Sequence, residues 1–451
     1  MACFRFALSW IAFVAVASVA AAQPVAPEFS SRPGAPYTLY LNFAGFSYTG
    51  TWGGQTPGVT PAYNNQTGPT FTPQEQANIK NIWARVAEAY APFNVNVTTV
   101  DPAVAAGQAA TDLQRQNYYD ATPRVMHTVI GAANSGFFSG AGGVSFVNVW
   151  STAQTNGRST NWTFTNRIGG YTAFHNIFTA TAHENGHAAN LLHQGDYIGT
   201  TVVNEYSRNN LSTVIAPTMG VAYSAARSVW RLGKTGTNTT HNDPQRIIAS
   251  NSGMGGFVND GIGRTLATAT PLPLIGDKVD FSAARGIIVP VSSSNPQPMG
   301  VNNYHRAFFS FHTAGGMNTF TVHAGGQWIT PGVADPGASL DATLRILDST
   351  GAQVAISDTP SLSETLTLFL TGGDYYLEVS SAGGKAASLG PNGTWDPAFL
   401  YDMGSYFITG TVSIPEPSSI ALLGLALAGA GFGYLRRQGR KDAQVDETLA
   451  S

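Results

Sequence analysis

The chain has 451 residues, enough for two domains of about 100–200 residues each, so a sizeable core can form. Its formal net charge is -3 and 11% of its residues are charged, which leaves no basic field for nucleic acid and no acidic tail. Abundant Gly, Thr, Asn and Ser with so few charges suits a turn-rich exported β protein better than a cytosolic helical enzyme.

In chain order, the first 22 residues carry Arg5, an apolar run over 6–21 and the small residues Ala20, Ala21 and Ala22. This is the order of a secretory signal peptide, expected to be cut after Ala22 by a signal peptidase. Cys3, the single cysteine, leaves with it, so the mature chain has neither a disulfide nor a thiolate metal ligand. Residues 37–43 alternate as a strand, and a Gly-, Thr- and Asn-rich loop fills 49–70. Thr72-Pro73-Gln74-Glu75 opens a helix with Thr72 as cap and Glu75 in the capping-box place. Ile79, Ile82, Trp83, Val86 and Tyr90 keep helical spacing up to a stop near Pro92. Further strands are predicted over 93–100, 125–130 and 144–149.

Residues 181–196 read TAHENGHAANLLHQGD. On a helix His183 and His187 lie four apart on one face and can share one metal ion. His193 would lie well off that face on a continuing helix. The helix is therefore expected to end between them, with Asn190 in a left-handed turn, Leu191 and Leu192 packing inward, and His193 swinging back. Glu184 is about 100° round the helix from His183, suited to bind a water on the metal rather than the metal itself. Three neutral nitrogens leave zinc one open position, and the ion lowers the pKa of a bound water towards about 7. Glu184 would then act as the general base of amide hydrolysis.

This pattern resembles the metzincin metallopeptidases, HExxHxxGxxH followed by a methionine turn. The resemblance spans roughly residues 37–265. It implies Zn2+ on His183, His187 and His193, Glu184 as catalytic base, and Met219, in Ala216-Pro217-Thr218-Met219-Gly220, beneath the metal. Asn190 replaces the family's glycine. Tyr223 lies four positions beyond Met219 instead of two, so it is not assigned as a ligand. Residues 142–149 fit the family's edge strand, against which an extended protein or peptide substrate would pair. The family's cysteine latch has no counterpart here.

From 278 to 412 only strand signals occur, at 286–291, 307–312, 319–323, 343–347, 365–370, 375–379 and 406–412, which favours a β-sandwich. The runs AFFSFHTAGG, LDATLRILDSTG and GGDYYLEVSS resemble the bacterial pre-peptidase C-terminal domain. After Ser413 come Pro415-Glu416-Pro417, a sixteen-residue apolar stretch over 420–435, then Arg436, Arg437, Arg440 and Lys441. This resembles the PEP-CTERM sorting signal, which implies a transient membrane anchor removed by an exosortase and an extracellular or cell-surface destination.

The expected architecture is α+β: a signal peptide (1–22), a metzincin-like domain with a twisted mixed sheet and an active-site helix (23–265), an all-β sandwich (266–413) and a sorting tail (414–451). The expected function is a secreted zinc endopeptidase. The alternative is a surface or biofilm-matrix binding protein with a structural metal site, which would have no need of Glu184. Calcium is compatible with a secreted β-rich chain, but no acidic loop matches an EF-hand-like pattern. His127, His175, His241, His305, His312 and His323 are isolated and read as structural or surface histidines. Phe137 and Phe138 read as core, and Asp196 and Asp243 as either partners of the site or helix caps.

Overall fold

The computed structural model describes residues 23–414 except 135, 155–156, 209–212, 250–255, 292–300, 329–331 and 387–398. The expected signal peptide and the expected tail from 415 onward lie outside the described residues.

The first half is built on a five-stranded sheet of order β2-β1-β3-β5-β4, where β1 is Tyr37–Asn42, β2 Val95–Thr98, β3 Val125–Gly131, β4 Gly143–Val144 and β5 Thr160–Phe164. β4 alone runs antiparallel, along the β5 edge. The helix α1 (Pro73–Ala89) starts in a complete Thr72/Glu75 capping box with Pro73 in its first turn. Its buried face, Ile79, Ile82, Trp83 and Val86, lies against the sheet, and the Trp83 indole donates to Val97 O at 2.9 Å. Tyr90 just beyond donates to Ala182 O at 3.0 Å, tying α1 to α3 (Phe174–Ala188). The helix α2 (Asp112–Ala121), with its own Thr111/Gln114 capping box, and the strand β5 are additions to the expected elements. β5 reads TNWTF and is wholly buried, so its polar residues hid it from a search for apolar alternation.

Two expected strands are shorter than predicted. The strand over 93–100 reduces to β2. The strand over 144–149 reduces to β4, because the chain turns through Asn148 at φ 61° and leaves the sheet. Its amides serve the end of α3 instead: Asn148 N donates to His187 O at 3.0 Å, and Val149 N to Ala188 O at 3.1 Å. Carbonyls at a helix C-terminus lack intrahelical donors, and that need outweighs further sheet pairing.

The described residues of 266–414 form chiefly two facing antiparallel sheets with a short parallel edge, while Phe399–Leu400 pairs with Arg231–Lys234 of the first half. One has the order β6-β7-β11-β9-β10, with β6 Thr270–Pro271, β7 Ala307–Thr313, β9 Ala342–Asp348, β10 Gln353–Ser357 and β11 Gly373–Ser381. The other centres on β12 (Gly404–Thr411) beside β8 (Gly316–Ala324). Inward residues alternate along β8 as Phe320, Val322 and Ala324, and Phe311 meets Phe320 across the two sheets at 4.9 Å. The arrangement is sandwich-like. Each of the seven strands expected between 286 and 412 is present with shifted ends.

The halves share one continuous apolar core and several buried polar links. Arg227 donates to Ala338 O at 2.7 Å and Ser339 O at 2.6 Å. Glu88, near the end of α1, accepts from Ser405 N at 2.9 Å and from the Ser405 hydroxyl, while Arg85 pairs with Asp335 at 3.0 Å. Burial pushes the Glu88 carboxyl up to about 7 from an ordinary 4.5. A raised folded value means that the stability it contributes is complete below about 4.5 and is lost as pH rises through about 7. Glu88→Gln keeps a neutral group in place, so the variant is expected to gain stability relative to the natural protein between about pH 5 and pH 8. Urea unfolding midpoints of both proteins across that range check this; a constant difference would exclude titration of Glu88.

Candidate metal centre

The helix α3 crosses beneath β4, and residues 177–188 are buried throughout. Its polar side chains are held from the sheet: Thr181 pairs with Thr163 at 3.0 Å, and Asn185 reaches Thr128 at 2.9 Å and Asn161 at 3.1 Å. Four-residue spacing puts His183 and His187 on the opposite side, with ring centroids 4.8 Å apart.

The helix ends where the third histidine requires it. Asn190 has φ 74°, its amide donates to His187 O at 2.8 Å, and Leu191 N donates to Gly186 O at 2.9 Å. This is a Schellman ending with asparagine in the left-handed position. Arg246 secures it by donating to Asn190 O at 2.9 Å and Asn190 Oδ1 at 3.1 Å. Leu191 is fully buried as expected. Leu192 is a correction: it is half-buried and faces a cavity beside His193, because the chain must rotate there to return the imidazole.

His183, His187 and His193 each offer a ligand atom, and these atoms lie within 4.8 Å of one another. The outer nitrogens are all engaged. His183 Nδ1 faces Thr218 O at 2.8 Å, His187 Nδ1 faces Leu191 O at 2.9 Å, and His193 Nδ1 faces Glu205 Oε1 at 3.3 Å. A carbonyl or carboxylate oxygen accepts, so each Nδ1 carries the proton and each neutral Nε2 presents a lone pair. Burial holds all three imidazoles below their ordinary pKa, His187 at about 4. His187 Nε2 and His193 Nε2 stand 3.0 Å apart, two lone pairs facing each other. A cation between them relieves that repulsion. A tetrahedral zinc with Zn–N near 2.05 Å sets about 3.3 Å between nitrogens, so the donor set fits the ion.

Met219 is fully buried and lies under α3, where a Cβ added to Gly186 would stand 2.4 Å from its Sδ. Thr218 beside it supplies the His183 acceptor, and Met219 O accepts Gln194 N at 2.8 Å. Asp243 is buried and accepts from Gln194 Nε2 at 2.7 Å and Arg231 N at 3.0 Å, so it supports the residue after His193. Asp196 is buried beside Arg231 at 3.6 Å.

Glu184 is buried, and burial alone pushes its carboxyl up to about 8; a divalent cation nearby would draw it down again. It lines a groove of about 650 Å³ together with the three histidines, β4, Trp52, Phe138, Phe146, Tyr206 and Tyr223. A Cβ on Gly143 would stand 2.7 Å from Glu184 Oε1, so a glycine in β4 makes room for the carboxylate. Phe137 is buried against Trp162 and Phe164, whereas Phe138 lines the groove, so the aromatic pair divides between core and cleft.

Sequence reasoning missed Glu205, Tyr206, whose ring lies 4.1 Å from that of His193, and Gly186. The last had a signal, since glycine inside a helix costs about 1 kcal/mol relative to alanine. Of the isolated histidines, His127 is buried between Asn42 at 3.0 Å and Thr160 at 3.2 Å, and His175 faces Ala222 O at 3.1 Å. Among the described residues, no group of three potential ligands other than His183, His187 and His193 is close enough to hold a metal.

Comparison with known proteins bears on the C-terminal motif. Residues 413–438 match the PEP-CTERM protein-sorting motif. Such a signal marks an exported protein whose C-terminus is processed by an exosortase and which associates with the surface. No curated protein matches the sequence. Among solved structures, the pre-peptidase C-terminal domain of a collagenase from Bacillus anthracis is similar at 13% identity and a TM-score of 0.16, over 28% of this chain and 85% of that one.

On helix propensity Gly186→Ala would stabilise α3 by about 1 kcal/mol, but the new methyl would meet Met219 Sδ. The variant is expected to lose about 1–3 kcal/mol through overpacking, read by urea unfolding of the metal-free protein. Net stabilisation would show that Met219 is free to move aside.

Proposed function

We propose that this protein is a zinc-dependent endopeptidase of metzincin type, with His183, His187 and His193 as ligands and Glu184 as general base. The observation that carries the reading is the set of three histidines whose ligand atoms lie within 4.8 Å of one another beside a buried carboxylate. Zinc, when bound, would supply the Lewis acidity that polarises a peptide carbonyl and acidifies water.

The remaining work falls to the chain itself. Glu184 receives the proton of the attacking water and passes it to the leaving nitrogen. Its own raised proton affinity, caused by burial, suits that exchange once a cation has lowered it toward neutrality. The exposed edge of β4 offers backbone groups with which an extended polypeptide can pair. Trp52, Phe138 and Phe146 give the groove an apolar wall that accepts a large side chain and excludes water. Thr218 O, Leu191 O and the Glu205 carboxylate fix the tautomer and orientation of the three imidazoles.

The purified chain from Gln23 to Ser413 is expected to hold about one zinc and to hydrolyse gelatin, losing activity to a chelator and regaining it with zinc. Glu184→Ala is expected to keep the metal while hydrolysis falls by about 10²–10⁴-fold, measured by metal analysis and gelatin cleavage on one sample. Equal cleavage by the variant would remove Glu184 from the mechanism. Stoichiometric zinc without cleavage of any protein tested would assign the site to structure and the chain to surface binding. Removing residues 415–451 is expected to leave hydrolysis unchanged and to shift the protein from the cell surface to the medium, read by cell fractionation.

A further inference from the structure

The groove does not stop at the histidines. Beyond His187 and His193 it opens into a second cavity of about 550 Å³. Ser145, His187 and His193 line both spaces, so one continuous channel passes over the point where the Nε2 atoms converge. Its two arms differ chemically. The first is walled by Trp52, Phe138, Phe146 and Tyr223 and carries no charged side chain but Glu184. The second is walled by Val147, Leu192 and Val202, with Thr235, Gly236 and Thr237 beside Glu205.

Val147 and Val202 are 41% and 45% exposed, apolar surface left uncovered next to a reactive centre. The Glu205 side chain is 64% exposed. Its stem rests against the floor of the cavity, where a Cβ on Gly236 would lie 3.7 Å from its Cγ, and one carboxylate oxygen is held by His193. Lys234, next to the floor in sequence, carries its ammonium over the Tyr197 ring at 5.6 Å. Glu205 is thus the charged group lining this arm.

Apolar walls with a carboxylate beside them complement a side chain with a hydrocarbon stem and a cationic head. We infer that the second arm is a subsite for a lysine or arginine side chain of a polypeptide lying across the site, with Glu205 as the residue that selects it. The inference rests on the peptidase reading for the path of the polypeptide, but binding can be read without turnover. The partner is a chain that offers a basic residue on one side of the bond over the histidines and tolerates a large apolar residue on the other.

The test uses zinc-loaded Glu184→Ala protein and fluorescence anisotropy. The probes are decapeptides on an alanine background with one phenylalanine, carrying lysine, norleucine or glutamate at each position in turn. Norleucine keeps the stem of lysine without its charge. At one or two adjacent positions lysine is expected to bind about fivefold more tightly than norleucine, the scale of a partly exposed ion pair, with glutamate weakest. Adding Glu205→Gln should bring the lysine-to-norleucine ratio to about one, and adding Val202→Lys should invert it. Zinc content of each variant reports that the cradle is intact, which separates lost selectivity from lost metal. Equal binding of lysine and norleucine at every position, a lysine preference that survives both substitutions, or no binding of any peptide overturns the inference. Cleavage of the same probes by the natural protein is scored separately: lysine preference without cleavage keeps this subsite and removes the peptidase reading, and cleavage without preference does the reverse.

Discussion

The site depends on a protonation constraint. Each Nδ1 of the three histidines faces an oxygen that can only accept, so each Nε2 must present a lone pair, and two of these stand 3.0 Å apart. Such an arrangement is unfavourable without a cation between the nitrogens and favourable with one. The acceptors come from three places: Leu191 just past the end of α3, Thr218 in the turn before Met219, and Glu205 on the segment that follows His193. The backbone conformation of each is therefore part of the candidate metal centre.

Those conformations are held in turn by the rest of the molecule. Leu191 is placed by the left-handed Asn190, itself clasped by Arg246. Thr218 N donates to Val229 O at 2.7 Å, and Arg227, two residues before Val229, is buried with its guanidinium on carbonyls of the C-terminal half. Trp230 O accepts Tyr401 N at 2.9 Å from the same half. The β-rich half is thus in mechanical contact with the floor of the site through Arg227 and Trp230. Glu88 and Ser405 add a further connection close by, at the C-terminal end of α1.

Local chemistry was legible where a short stretch settles its own conformation. Thr72 and Glu75 close a capping box within four residues, and asparagine was readable at 190 because few other residues accept that φ. The strands of the C-terminal half announced themselves by alternation. The strand β5 was hidden because a central strand holding the polar face of a buried helix carries threonine and asparagine in place of valine. The strand expected over 144–149 was cut short because its amides answer the carbonyls of α3, a demand from a segment about forty residues away in sequence. Leu192 was misplaced because sequence does not say which of two adjacent leucines turns with the chain.

The sequence by itself determined the spacing that puts His183 and His187 on one helical face, the break at Asn190 that lets His193 return, and the sorting motif over 413–438. Each of these follows from helix geometry, one residue's backbone preference, or a linear signal. Only the tertiary structure decided which atoms hold the imidazoles, that Gly186 makes room for Met219 and Gly143 for Glu184, and that the groove has an aromatic arm and an acidic one. Those features arise from segments that meet only after folding, and no local preference encodes a contact between residues so far apart in the chain.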